Sequence, residues 1–116
     1  MPISADLIRG HTDAILLAHL IHKDSYGYEI NKAIQQPSGG LYELKEATLY
    51  TAFKRLEDAG CIASYWGEEA TNARRKYYRI TPLGRELFGR LLEEWHVTRD
   101  IIDKLLNTEA ENHAEQ

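Results

Sequence analysis

Apolar residues recur along the chain with two periods, and the changes of period divide it into elements. Leu7, Ile8, Ala14, Ile15, Leu16, Leu17, Ala18, Leu20 and Ile21 predict a first helix over residues 5–21, with Ser4 as its N-cap. That helix is apolar on more than one face, as expected of one buried between its own core and a partner subunit. Ser25 can cap a second helix over 26–35, which Pro37-Ser-Gly-Gly40 then breaks. Leu41-Tyr-Glu-Leu44 alternates and reads as a short strand leading into a third helix. There Leu49, Ala52, Phe53 and Leu56 form one face, and Gly60 suits the C′ position that ends it. Residues 62–69 and 75–80 read as two strands joined by a loop over 70–73. Thr81-Pro82 then starts a fourth helix, a cap followed by proline at the first helical position.

This last helix should run to about residue 106, some 25 residues or ~38 Å, too long to bury itself on one small domain. Leu87, Leu91, Trp95, Thr98, Ile102 and Leu105 repeat along it at spacings of four and three. Such a seam pairs most simply with a second copy of the chain. The polar, acidic residues 107–116 read as a disordered tail. The expected fold is mainly α with a small β wing. A winged helix-turn-helix domain over 1–81, including the first helix, is followed by a dimerisation helix over 82–106.

The third helix carries its chemistry on the side away from the core. Ala47, Thr48, Thr51, Lys54 and Arg55 give a short, mostly uncharged tip followed by two cations. Small side chains and hydroxyls suit base edges in a major groove, and the cations suit phosphates. Arg74, Arg75 and Lys76 make the following hairpin basic, and Lys45 adds a charge just before the helix, where a small polar cap is common. Trp66, in the first wing strand, reads as a strand-packing residue.

Tyr26-Gly-Tyr-Glu-Ile30, Ala47-Thr-Leu-Tyr50, Lys54-Arg-Leu-Glu57, Gly60-Cys-Ile62 and Arg75-Lys-Tyr-Tyr-Arg-Ile-Thr81 resemble the signature blocks of the PadR family of bacterial transcriptional regulators. The blocks come in the family's order and spacing over about residues 9–106. They look most like its small subfamily with one C-terminal helix, typified by the lactococcal multidrug-sensing repressor. The resemblance implies a homodimeric repressor of palindromic promoter DNA, with Tyr26 and Tyr50 reaching phosphate and Tyr28 in the core. It also implies that Trp95 of both subunits stacks planar aromatic compounds at the dimer centre. Phe88, Leu91, Leu92, Thr98 and Arg99 would neighbour it, with Ala14, Leu17 and Ala18 completing the wall. Leu91 and Leu92 are bulkier than a roomy drug pocket needs, and Arg99 is a cation where an acid would favour cationic drugs. That pattern points to a smaller site, or to neutral or anionic aromatics.

Composition changes this picture little. A chain of 116 residues with 43% hydrophobic and 28% charged residues fits one small globular domain. Net charge is −4, yet residues 41–81 hold seven Lys/Arg against six Asp/Glu, and residues 74–79 hold four cations and no acid. From residue 82 onward four cations face eight acids, so the positive field is local to the wing. No apolar run is long enough to span a membrane and the N-terminus shows no basic-then-apolar signal pattern, so a cytoplasmic location is expected. The one cysteine, Cys61, reads as core filling at the start of a wing strand. His19 and His22 are three apart but lack further ligands, so neither metal nor cofactor is expected. No nucleophile elbow, phosphate loop or carboxylate pair points to an enzyme. The rival reading is a winged-helix protein-interaction module without DNA binding or ligand sensing. It requires that the exposed cations be gone, and Lys54, Arg55, Arg74, Arg75 and Lys76 are present.

Overall fold

The computed structural model describes residues 8–68 and 74–115, without the side chains of Glu68 and of residues 108–115. The expected Ser4 cap, the start of the first helix at 5–7 and the wing loop at 70–73 lie outside the described residues. A 3-10 turn, Arg9–His11, leads into α1 (Thr12–Leu20), followed by β1 (Ser25–Tyr26) and α2 (Gly27–Gln35). Next come α3 (Glu46–Asp58), β2 (Ile62–Glu68), β3 (Arg74–Ile80) and α4 (Pro82–Glu115). The three strands form an antiparallel sheet in the order β1-β3-β2, with Ile62 paired to Ile80 at the root of the wing and Glu68 to Arg74 farther out. This is a winged helix-turn-helix.

The core lies where α1, α2, α3 and the root of the wing meet. Leu16, Leu17 and Leu20 from α1 and Ile30 from α2 join Leu49, Ala52, Phe53 and Leu56, the predicted inner face of α3. The sheet contributes Ile62, Tyr78 and Ile80, and the Tyr78 ring stacks on Phe53 with centroids 4.0 Å apart and planes 16° from parallel. Cys61 is buried beside this core, just before β2.

Three local expectations are corrected. Ser25 does not cap α2: it is buried in β1 opposite Tyr78, and its hydroxyl donates to the Glu29 carboxylate. Tyr26 occupies the N-cap position instead, without a side-chain cap. The alternating segment at 41–44 does bury Tyr42 and Leu44 and expose Leu41 and Glu43, but it is not a strand. The backbone groups of Tyr42 and Leu44 are satisfied by side chains, which removes the need for a partner strand. The Asn31 amide donates to the Leu44 carbonyl at 2.8 Å and accepts from the Leu44 N–H at 3.2 Å, and Ser38 Oγ accepts from the Tyr42 N–H at 3.1 Å. Finally, α4 continues to Glu115, over most of the segment expected as a disordered tail. The run Glu109-Ala-Glu111 has good helix formers, and Asn107 Nδ2 donates back to the Asp103 carbonyl at 2.7 Å. At 34 residues α4 is about 50 Å long, far beyond what the small core can cover.

The end of α3 and the start of α4 form one joint. Gly60, at φ 77°, gives α3 a Schellman ending, with Gly60 N–H bonded to the Glu57 carbonyl at 3.0 Å and Cys61 N–H to the Leu56 carbonyl at 2.9 Å. Thr81 caps α4 by accepting from the Gly84 N–H at 3.1 Å, and the same hydroxyl donates to the Gly60 carbonyl at 2.6 Å. A Cβ on Gly84 would stand 2.0 Å from the Cys61 carbonyl oxygen, so only glycine permits this approach.

Candidate nucleic-acid interface

Helix α3 presents the predicted outer face. Ala47, Thr48, Tyr50, Thr51, Lys54 and Arg55 are all exposed, while Leu49, Ala52, Phe53 and Leu56 hold the helix to the core. Ala47, Tyr50, Thr51, Lys54 and Arg55 line one shallow depression. Lys45 is the N-cap residue, exposed and without a side-chain cap, as its length and charge predict. Tyr50 packs edge-on against Phe53, and its hydroxyl lies over Gly27, where an added Cβ would come within 2.8 Å. That close approach sets the first turn of α2 against the first turns of α3.

The two α3 cations are not equivalent. Lys54 makes an exposed i,i+4 pair with Asp58 at 3.4 Å, of the kind that contributes little. Arg55 is held by Asp13 of α1 through two hydrogen bonds, from Nε to Oδ2 at 3.3 Å and from Nη2 to Oδ1. The carboxylate raises the Arg55 pKa further. Arg55 therefore joins α3 to α1 and is less free to meet a phosphate than the sequence predicts. Pairing between residues 42 positions apart leaves no local sequence signal.

On the wing, Arg74, Arg75 and Lys76 are exposed and divided between the two faces of the hairpin by strand alternation. Arg75 lies over the Tyr26 ring, 4.4 Å from its centroid, on the face that also carries Tyr77. Arg74 lies over Trp66 at 5.2 Å and Lys76 over Tyr78 at 5.7 Å, both on the opposite face. Aromatic faces orient these cations without neutralising them. Tyr26 is half-buried beneath Arg75, which limits its reach toward phosphate. Two aromatic expectations fail. Tyr28 is 68% exposed with Lys32 over its ring, not core, because it lies on the outer side of α2 from Ile30. Trp66 is 58% exposed, because β2 carries it past the edge of the core. Burial pushes the Tyr78 hydroxyl up, and a 2.6 Å hydrogen bond to Asp24 does the same for Tyr65.

The residues expected around a ligand gather along α1 and α4, with one exception. Leu17 has no exposed surface and belongs to the core. Ala14, Ala18, Phe88 and Leu91 are half-buried, while Leu92, Trp95, Thr98 and Arg99 are exposed. The Trp95 ring meets the edge of His11 at 4.9 Å and 75°, a contact that leaves no local sequence signal because the two residues are far apart in the chain. Arg99 lies 3.9 Å from Asp100. Val97, Ile101, Ile102, Leu105 and Leu106 extend the bare apolar surface along α4. His19 Nε2 is buried without a hydrogen-bond partner, and burial lowers its pKa. Among the described residues no cluster of three or more His, Cys, Asp or Glu could hold a metal, and no helix is long and apolar enough to cross a membrane.

Comparison with known proteins agrees with this architecture. Residues 16–90 match the family described as the transcriptional regulator PadR-like family. An uncharacterised protein of Lysinibacillus sphaericus is 44% identical over 101 residues, covering 87% of this chain and 93% of that protein. The structure of a transcriptional regulator from Clostridium thermocellum is 53% identical, covers 88% of this chain and 96% of that one, and superposes with a TM-score of 0.81. A PadR family transcription regulator from Clostridium difficile is 36% identical, with 84% and 99% covered and a TM-score of 0.71.

Proposed function

This chain belongs to the PadR-like family of transcriptional regulators, and from that premise we propose that it is a homodimeric repressor of palindromic promoter DNA. It is a bacterial DNA-binding transcription regulator and not an enzyme. The observation that carries the finer reading is the exposed face of α3. Small and hydroxyl-bearing side chains stand at its first turns, with Lys45 before them and the cations of the wing beside them. Ala47, Thr48 and Thr51 read base edges in the major groove, while Tyr50, Lys54, Arg74, Arg75 and Lys76 hold the phosphates.

Dimerisation is supported by the bare apolar side of α4, which its own domain leaves uncovered. Pairing two copies through α1 and α4 buries that side and sets two α3 helices about one DNA turn apart, ~34 Å. Trp95 and His11 then lie near the seam, and a planar aromatic compound stacking on Trp95 shifts α4. Because Thr81 binds the carbonyl of Gly60, a shift of α4 pulls on the end of α3 and changes the spacing of the reading helices.

The test is selection of duplexes from a random-sequence library by the intact protein, followed by binding at several salt concentrations. Enrichment of an inverted repeat, with log affinity falling linearly in log salt, is the expected result. Enrichment of no duplex leaves the protein-interaction module as the better reading.

A further inference from the structure

Trp66 is a large aromatic residue that the core leaves 58% exposed. On its face of β2, toward the root of the wing, lie Ile62, buried in the core, and Ser64, whose hydroxyl donates to the Glu57 carboxylate on α3. Across from Ser64 lies Tyr78, stacked on Phe53 of the same helix. Strand alternation therefore puts Trp66 on the side of the sheet that α3 covers. It lies one step farther out, where the cover has ended and more than half of the residue is bare. Its cross-strand neighbour is Lys76, and the Arg74 guanidinium lies over its ring at 5.2 Å. Arg74 and Lys76 are the two wing cations on its side of the hairpin, and Arg74 stands opposite Glu68 in the strand register.

We propose that Trp66, oriented by Arg74, is a DNA-contacting residue that reads the flank of the operator. The proposal rests on the DNA-binding reading above. With α3 in the major groove, a residue projecting from the wing on the same side of the sheet meets the next stretch of backbone and its minor groove. A flat indole offers an apolar surface to deoxyribose and one N–H donor to the acceptors on the groove floor. Arginine favours narrow, A·T-rich minor grooves, where the potential is most negative. Trp66 and Arg74 together prefer A·T flanks over G·C flanks, outside the bases that α3 touches. The Arg74 guanidinium over the ring and Lys76 across from it favour nucleic acid over an apolar protein partner as the occupant.

The experiment uses the duplex enriched by the wild-type protein, synthesised with A·T or with G·C flanks, and the variants Trp66→Ala, Trp66→Phe and Arg74→Ala. Both positions are exposed, so the fold is retained, which circular dichroism checks. Trp66→Ala should lose about tenfold in affinity on A·T flanks and little on G·C flanks, with its salt slope unchanged. Trp66→Phe should recover most of the loss, whereas Arg74→Ala should lower the salt slope by about one. In Trp95→Phe protein, where Trp66 is the remaining tryptophan, duplex should change its emission. The proposal is overturned if Trp66→Ala matches wild type on both flanks, or if saturating duplex leaves the Trp66 emission as it was. Failure of the wild type to bind any duplex would instead overturn the DNA-binding reading, and this proposal with it.

Discussion

The guanidinium of Arg55 on α3 closes on the carboxylate of Asp13 on α1, with Nε 3.3 Å from Oδ2. This pair links α3 directly to α1, the helix that packs against α4. Arg55 and Asp13 are both partly exposed, so solvent screens the pair and its net contribution to stability is at most about 1 kcal/mol. Held by Asp13, Arg55 keeps its charge but is less free to meet a phosphate.

Asp13→Asn should therefore cost little stability and free Arg55 for DNA. The expected outcome is a plot of log affinity against log salt that is steeper by about one, the signature of one added phosphate contact. Titrations of the enriched duplex at several salt concentrations check it. An unchanged slope means that Arg55 stays away from DNA even when released.

The joint between α3 and α4 can be tested at Gly84. An added methyl there meets the Cys61 carbonyl oxygen at 2.0 Å and the Ile80 side chain at 2.8 Å. Gly84→Ala should lower stability by about 2 kcal/mol or more, as overpacking against backbone does. Gly89, in the same helix, has nothing within 4 Å of an added Cβ, so Gly89→Ala should stabilise by about 0.5–1 kcal/mol. Urea midpoints of the two variants separate the local clash from a general effect of alanine.

Self-association should depend on the outer part of α4. Ile102 and Leu105 are 47% and 68% exposed and touch no core, so a charge there leaves the fold of one chain intact. Ile102→Glu or Leu105→Glu should shift light scattering at micromolar concentration toward the monomer, with unchanged helix content. Leu91→Glu is a poorer probe, because Leu91 also packs against its own core.

Acid should destabilise the protein in two windows. Burial lowers the pKa of His19 from 6.5, so stability from its neutral form is complete above that value and is lost as pH falls below it. The Ser25 hydrogen bond is the first cause that lowers the pKa of Glu29 from 4.5, so its contribution is lost only at more acid pH, through its folded value. Melting temperature should fall from pH 7 downward, and His19→Gln should remove the earlier part of that fall and leave the later part. A profile identical to wild type excludes His19 as its source.

Planar dyes should quench Trp95 in Trp66→Phe protein, and His11→Ala should change the affinity, since His11 supplies the edge that Trp95 already meets. Dye binding that survives Trp95→Ala places any ligand elsewhere and leaves the tryptophan as packing.

Much of this molecule was legible in the residues because its information is local or periodic. The 3–4 spacing of Leu49, Ala52, Phe53 and Leu56 can bury only one face of a helix, which forces Thr48, Thr51 and Lys54 outward. Gly60 ends that helix because a left-handed turn is needed there and only glycine adopts it without strain. That α4 outruns its own domain, and carries an apolar side, was equally visible, although its continuation from residue 106 to Glu115 was not. Tertiary structure decided what depends on distant partners. The Ser25 strand exists because β3 has a free edge beside it, and the 41–44 segment is not a strand because Asn31 and Ser38 supply its hydrogen bonds. The binding of Arg55 by Asp13, the burial of Leu17, the exposure of Tyr28 and Trp66, and the contact of His11 with Trp95 follow from the packing angles of whole elements. Sequence periodicity records which face of an element is apolar, but not which neighbour that face meets or where along the element the cover ends.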